Sequence, residues 1–173
     1  LDGGAPAADP TAAARGFATE VAGFTNPVLG EFRQGDARSG EIELRGKAGA
    51  GPVSTVLVRQ VGAGGGWSVI GATSPDLQMT TPATGDTVSS PVHFTGQSTA
   101  FEATILLGVR DAAGHVLVSA NTMGGSNGEM GPFDATLTFE HPPTTATGVA
   151  LLWNVSMEDG HVSEVSAAPV RFG

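Results

Sequence analysis

Apolar residues near the start of the chain recur at helical spacing. The positions that share one face of a helix, at i, i+3, i+7 and i+10, are Ala14, Phe17, Val21 and Phe24. Asp9 precedes this pattern as a candidate N-cap, Pro10 stands at the first helical position, and Gly23 stands where a C-terminal stop belongs. The pattern predicts one helix whose phenylalanine-bearing face has to be covered by a sheet.

Between residues 28 and 72 the period changes from helical to alternating. Strands are predicted at 28–32, 41–45, 54–61 and 67–72. In the second strand Ile42 and Leu44 point to one face, while the glutamates that flank Ile42 point to the other. The stretches "RQGDARSG" and "GAGGG" are predicted hairpin loops. Helix and strands together predict a small α+β domain at residues 10–72.

From residue 77 onward no helical period returns, and short alternating segments are separated by turn residues. Strands are predicted at 77–80, 91–96, 103–111, 115–121, 132–139, 148–156 and 166–172. This pattern predicts an immunoglobulin-like β-sandwich of about seven strands over residues 73–173. The fold class is therefore mainly β: a small domain of one helix plus a four-stranded antiparallel sheet, followed by the sandwich.

Alternation also predicts which side chains fill the sandwich. The predicted core consists of Val92, Phe94, Ile105, Leu107, Val109, Phe133, Leu137, Phe139, Val149, Leu151, Trp153 and Val155. The joint between the halves, "ATSPD" at 72–76, is short. We therefore expect the two halves to pack against each other.

Two leucines point away from this predicted core. Leu106 lies on the face opposite Ile105 and Leu107, and Leu152 lies opposite Leu151. The third and sixth strands of an immunoglobulin-like sandwich pair, so Leu106 and Leu152 are predicted side by side on the outside. Three interpretations are open: a covering by the first domain or its linker, a partner-binding patch, or two isolated exposed leucines.

Composition excludes several classes of protein. The net charge of −9 and the pI of about 4.6 argue against nucleic-acid binding, which needs clustered Lys and Arg. Because the chain has no cysteine, it has no thiol nucleophile, no thiolate-ligated metal and no disulfide. No apolar run approaches the roughly 20 residues of a membrane helix. Residues 1–9 have the composition of a flexible tether, which fits a chain that follows a signal or lipid-anchor segment and equally fits a trimmed cytosolic protein.

Candidate catalytic and metal chemistry is sparse. No pair has the i, i+2 or i, i+4 spacing of zinc ligands among the histidines, which are His93, His115, His141 and His161. A Ser–His–Asp triad stays open, but no G-x-S-x-G elbow is present. Four acids in turns fit either calcium ligation or solvated turns: Asp86, Asp111, Glu158 and Asp159. We predict no enzyme activity, no cofactor and no metal site.

One stretch resembles a known family. Residues 82–104, "PATGDTVSSPVHFTGQSTAFEAT", resemble the start of the bacterial spore-germination immunoglobulin-like domain, with its Val-Ser-Ser-Pro segment and Phe-Glu step. "DAAGHVL" at 111–117 and "SMEDGHVSEVSAAPVRF" at 156–172 continue the resemblance, which covers about residues 75–173. It implies a module of exported, often lipid-anchored envelope proteins, here in an actinobacterial type of envelope lipoprotein.

Within that stretch Glu102 is the unusual residue, because it follows Phe101 just before an apolar strand. It either accepts backbone N–H bonds from a neighbouring loop or contacts a ligand or cation. The predicted function is a non-catalytic extracytoplasmic binding or scaffolding module that recognises another envelope protein. Its candidate binding residues are Leu106, Leu152 and Glu102. The alternative is a carbohydrate- or wall-polymer-binding accessory domain, which the small number of aromatic residues disfavours.

Overall fold

The computed structural model describes residues 6–49 and 51–173. Helix α1 spans Pro10–Gly16 and continues as a π-helical turn over Phe17–Val21. Asp9 caps the helix, since its Oδ1 accepts a 2.8 Å hydrogen bond from the backbone N–H of Ala12. Gly23 ends the helical segment with a φ of 81°, a left-handed conformation that glycine adopts without strain. The predicted helix and both of its end signals are confirmed.

The first sheet follows the helix directly. Its strands are β1 (Val28–Leu29), β2 (Arg33–Gln34), β3 (Ser39–Arg45), β4 (Ser54–Val61) and β5 (Gly66–Thr73). β1 and β2 both pair with β3. The strand predicted at 28–32 is therefore shortened to Val28–Leu29, and a second short strand forms at the start of the predicted loop. The ring of Phe32 crosses Gly40 so closely that a side chain at position 40 would overlap it. The same ring meets Trp67 edge-to-face, with centroids 5.3 Å apart.

The second half forms the predicted sandwich. Its strands are β6 (Leu77–Thr81), β7 (Thr87–Val88), β8 (Val92–Ala100), β9 (Thr104–Asp111), β10 (Val116–Met123), β11 (Gly125–Ser126), β12 (Gly131–Leu137), β13 (Thr147–Val155) and β14 (Val162–Phe172). One sheet has the order β11-β8-β12, with β6 also on β8. The facing sheet runs β14-β13-β9-β10, with β7 pairing β14. The mainly β fold class is confirmed.

The two halves share a sheet. β5 pairs antiparallel with β14 at Ala72 and Ala167. This link produces one continuous sheet in the order β1-β3-β4-β5-β14-β13-β9-β10. The helix packs on the face of this sheet that points away from the sandwich interior. The chain therefore has three layers, with the long sheet in the middle and buried on both faces over β13 and β14.

Each layer boundary has its own core. The helix-side core joins Phe17, Phe24, Ile42 and Leu44 to Val149, Leu151, Trp153, Val165 and Ala167. The sandwich core contains Phe94, Ile105, Leu107, Val109, Phe133, Ala150 and Leu152. The prediction that Val149, Leu151 and Trp153 fill the sandwich was therefore wrong. Residues 148–153 of β13 are all buried, so alternation could not tell which of the two faces meets the other sheet.

The predicted pair of outward leucines is also corrected. Leu152 is fully buried in the sandwich core and lies opposite Leu107, whereas Leu106 lies opposite Trp153. The two leucines thus occupy opposite faces of the sheet. Leu106 is half-buried against the helix-side core, which agrees with a covering by the first half of the chain.

The proposed boundaries at 10–72 and 73–173 remain predictions, as does the tether. Most of the tether lies in residues 1–5, outside the described residues. Ala7 pairs with Trp67 through two backbone hydrogen bonds. The N–H of Ala7 donates to the carbonyl oxygen of Trp67 at 2.8 Å, and the N–H of Trp67 donates to the carbonyl oxygen of Ala7 at 2.9 Å.

Candidate functional site

Large apolar side chains are exposed at one end of the sandwich. Phe101 is 63% exposed, Met123 67% and Met130 37%. They belong to the β8–β9 connection, the end of β10 and the loop before β12. We call residues 101–103, 123–125 and 129–130 the tip. Exposed apolar groups that cluster in this way are typical of interaction surfaces.

Backbone contacts bring the three segments of the tip together. The N–H of Gly124 donates a 2.9 Å hydrogen bond to the carbonyl oxygen of Ala103. β11 then pairs in parallel with the end of β8, with Gly125 opposite Thr99. A side chain at Gly125 would overlap the backbone of 129–131, so the loop that carries Met130 lies directly against β11. The tip is therefore built from glycines that permit close backbone approach.

The backbone of the tip is strained. Glu102 and Ala103 have φ values of 56° and 63°, in the left-handed region that costs a residue with a Cβ about 1–2 kcal/mol. Asn127, in the adjacent loop, has a φ of 54°. The β11–β8 pairing and a 3.1 Å hydrogen bond from the Gly128 N–H to Thr99 Oγ1 hold these segments in place. Strain that the surrounding structure maintains is concentrated at functional sites in proteins.

The predicted site residue Glu102 is exposed on the tip. Its carboxylate forms no hydrogen bond or ion pair with any residue in 6–49 or 51–173; only its carbonyl oxygen accepts a 3.4 Å bond from Thr104. The interpretation that this carboxylate caps a neighbouring loop is therefore wrong. Glu129 is exposed on the same tip. The apolar surface is thus flanked by acidic side chains available to an external cation.

The acids of the predicted turns are engaged locally. Asp86 accepts the N–H of Ala83 at 2.8 Å, and Glu158 pairs with Lys47. Asp159 accepts the N–H of His161 at 3.1 Å. Across the described ranges, no three His, Asp or Glu side chains stand close enough together to hold a metal ion.

Asp111 organises the β9–β10 turn. Its carboxylate accepts hydrogen bonds of 2.6 and 3.0 Å from the hydroxyl and N–H of Thr144. It also accepts the backbone N–H groups of Ala113 and His115, at 3.0 and 2.9 Å. Burial alone would raise the pKa of Asp111, but the hydrogen bonds from Thr144 and His115 outweigh it and hold this pKa well below its ordinary value.

Sequence reasoning missed Glu164, a carboxyl that is fully buried on β14. The hydroxyl of Ser74 donates to its Oε1, while Oε2 has no partner among the described residues. Burial, and secondarily the nearby Asp76 carboxylate, raises the pKa of Glu164 to about 7. A glutamate that follows a serine, here Ser163, looks like a solvent-facing position in a sequence. Nothing in the local pattern shows that β6 and Ser74 cover it.

These features define a class of protein: a β-sandwich module that presents a restrained, apolar and acid-flanked tip. Residues 76–161, which include the tip, match the family model of the immunoglobulin-like domain of bacterial spore germination. This match confirms the family resemblance of the C-terminal half. An immunoglobulin-like domain of this kind suggests a non-catalytic binding module. No curated protein and no solved structure matches the chain. Among the described residues, no helix is long and apolar enough to cross a membrane.

Proposed function

We propose that this protein is a non-catalytic, extracytoplasmic binding module that uses the tip to recognise another protein of the bacterial cell envelope. The observation that carries the proposal is the exposure of Phe101 and Met123 on a strained backbone that the neighbouring strands hold in place. A rigid loop binds a partner with a smaller loss of conformational entropy than a mobile one.

The chemistry of the tip indicates what the partner surface contains. Phe101, Met123 and Met130 need an apolar recess, because a protein interface has its affinity concentrated in a few desolvated apolar anchors. Glu102 and Glu129 need basic groups at the rim of that recess. The overall charge of −9 also favours encounter with a basic surface, as the two glutamates of the tip do.

A wall polymer is the second candidate, and the tip supports it less well. Carbohydrate sites stack sugar rings on exposed aromatic planes, and Phe101 is the only aromatic side chain among the large exposed apolar residues of the described chain. Trp153 is buried and Trp67 is half-buried.

The proposed location outside the cytoplasmic membrane rests on the resemblance of this chain to the family, which implies exported and often lipid-anchored proteins. Protease treatment of intact cells tests it, with an epitope on the chain as the readout. Degradation of the tagged chain in intact cells is expected. Protection of the chain until the cells are lysed would contradict an extracytoplasmic location.

Site-specific photo-crosslinking tests the binding function. Photoreactive residues at positions 101 and 123 are compared with one at Val116, which is 46% exposed and pairs with Arg110 at the opposite end of β9. We expect one protein to be crosslinked from the tip positions and not from position 116. The crosslinked peptide should contain Lys or Arg beside apolar residues.

The purified partner then permits a quantitative test. Phe101→Asp is expected to weaken binding at least tenfold, and Glu102→Lys is expected to weaken it and to reduce its salt dependence. Val116→Asp is the matched control and should leave the affinity unchanged. Equal crosslinking from all three positions, or attachment to wall polymer alone, would contradict a protein-binding tip.

A further inference from the structure

A cavity of about 270 Å³ lies at the other end of the long sheet, where the helical segment stops covering it. We call it the Arg110 cavity. The helical turn contributes Glu20 and Val21 to its wall, and the sheet contributes Arg110, Val149 and Arg171. It is therefore formed jointly by the two halves of the chain.

Strand register places the sheet residues of the cavity on one face. Val149 lies opposite Arg110 on one side and opposite Pro169 on the other. Arg171 lies two residues beyond Pro169 on the same strand, and side chains two apart share a face. Val149 and Pro169 thus form an apolar floor between the two arginines.

Arg110 is held in place but is not neutralised. Its Nη1 donates a 3.2 Å hydrogen bond to the carbonyl oxygen of Glu20, and its guanidinium lies 5.9 Å from the ring centroid of Trp153. Its Nε is buried without an acceptor in the described ranges. Its Nη2 makes no hydrogen bond there and is not buried. Burial lowers the pKa of Arg110, because it removes water from the charged guanidinium.

Neither arginine of the cavity has a carboxylate partner. Arg171 donates from Nη1 to the carbonyl oxygen of Gly85 at 3.3 Å. Neither Arg110 nor Arg171 forms a salt bridge with any described residue, although Arg33, Arg45 and Lys47 do. Asp111 also borders the cavity, but its side chain is fully buried and accepts bonds from Thr144 and His115.

We propose that the Arg110 cavity binds a small organic carboxylate with an apolar body. The carboxylate would accept hydrogen bonds from Arg110 and Arg171, and the body would lie on Val149 and Pro169. A partly buried guanidinium with unused donors is stabilised by an anionic acceptor, and such charge-assisted bonds are stronger than neutral ones. A cavity of about 150 Å³ is sufficient for benzene. The space here accommodates a molecule the size of benzoate.

Benzoate is the test ligand, and benzyl alcohol is its uncharged counterpart. Titration of ¹⁵N-labelled protein is followed through the backbone signals of Gly148 and Val149 and the side-chain Nε–H signal of Arg110. Benzoate is expected to give saturable shifts confined to the cavity. Benzyl alcohol is expected to bind at least tenfold more weakly, since it does not supply the anion.

Arginine variants locate the binding. Arg171→Gln changes an exposed side chain, and we expect it to weaken benzoate binding several-fold while leaving the fold intact. Arg110→Gln should abolish binding. Arg15→Gln is the matched control, because Arg15 is exposed on α1 and does not line the cavity. Its affinity for benzoate should equal that of the unmodified protein.

Three results would overturn the proposal: no saturable shift, equal binding of benzyl alcohol, or equal losses from Arg15→Gln and Arg171→Gln. The backbone spectrum of each variant also reports whether it is folded. If Arg110→Gln unfolds, the comparison of benzoate affinity between Arg171→Gln and Arg15→Gln still tests whether the cavity binds the carboxylate. The tip lies at the opposite end of β9, so this result is independent of the proposed protein-binding function.

Discussion

The indole Nε1 of Trp153 donates a 2.8 Å hydrogen bond to the carbonyl oxygen of Ala22. Trp153 lies on β13 of the sandwich, and Ala22 ends the helical segment of the first half. Both residues are buried in the helix-side core. The bond therefore joins the two halves within their shared core, and we expect them to unfold as one cooperative unit.

Trp153→Phe tests this coupling. The variant leaves the Ala22 carbonyl without its donor and removes part of a buried side chain, so the free energy of unfolding should fall by about 2 kcal/mol or more. Chemical denaturation monitored by circular dichroism measures it. Trp67→Phe, at a half-buried position, is the control and should have a smaller effect. Two separate transitions in the unmodified protein would contradict the single unit.

Glu164 makes the stability of the protein decrease as pH rises. Its folded-state pKa of about 7 exceeds the ordinary value of 4.5, so the folded state retains a proton that the unfolded chain releases between these pH values. The free energy of unfolding should fall by up to roughly 3 kcal/mol from pH 4.5 to pH 7 and then level off. Glu164→Gln should remove this slope. Denaturation curves at several pH values measure it.

Asp111 acts at the acid end of the pH range. Its pKa is held below the ordinary value of 3.8, so its contribution to stability is complete above that pH and is lost as pH falls further. Together with Glu164, this predicts maximum stability near pH 4 to 5. Asp111→Asn should flatten the acid decline and destabilise the turn at neutral pH, since the amide cannot accept the same set of hydrogen bonds. A maximum above pH 7 would contradict the raised pKa of Glu164, and an unchanged acid decline in Asp111→Asn would contradict the lowered pKa of Asp111.

Ala103→Gly should stabilise the protein. Glycine adopts the left-handed conformation of this position without the penalty that alanine has, and this gain exceeds the entropy that glycine loses on folding. We expect an increase of about 0.5–1 kcal/mol in the free energy of unfolding. Ala120→Gly, at a half-buried strand position with ordinary backbone angles, is the control and should destabilise. A loss of stability at position 103 would contradict the strained tip.

The two leucines distinguish the two faces of the long sheet. Leu152→Ala should cost about 2–5 kcal/mol, because it leaves a cavity in the sandwich core. Leu106→Ala removes a half-buried side chain and should cost roughly 1 kcal/mol. Thermal and chemical unfolding measure both changes. Equal effects would mean that both leucines occupy equivalent environments.

Elements with strong local signals were predictable from the sequence. Asp9 and Gly23 marked the ends of the helical segment, and β4 has the predicted bounds of 54–61. The inward face of a strand that is buried on both sides was harder to predict, because alternation identifies a core face only when the other face meets water. β13 is buried on both faces, so its inward side was predicted incorrectly. The tip was only partly predictable: Glu102 was singled out, but its proximity to Met123 depends on the fold.

The sequence by itself determined where the helix begins and ends, which segments form the longer strands, the sandwich class and the family resemblance of the C-terminal half. Those properties depend on caps, turns, alternation and local motifs, which act over a few residues. The tertiary structure decided that β5 joins β14, that Glu164 is buried beneath Ser74, and that Arg110 and Arg171 border one cavity. These relationships join residues far apart in the chain. They result from how the first half packs on the outer face of the sandwich, which no local pattern encodes.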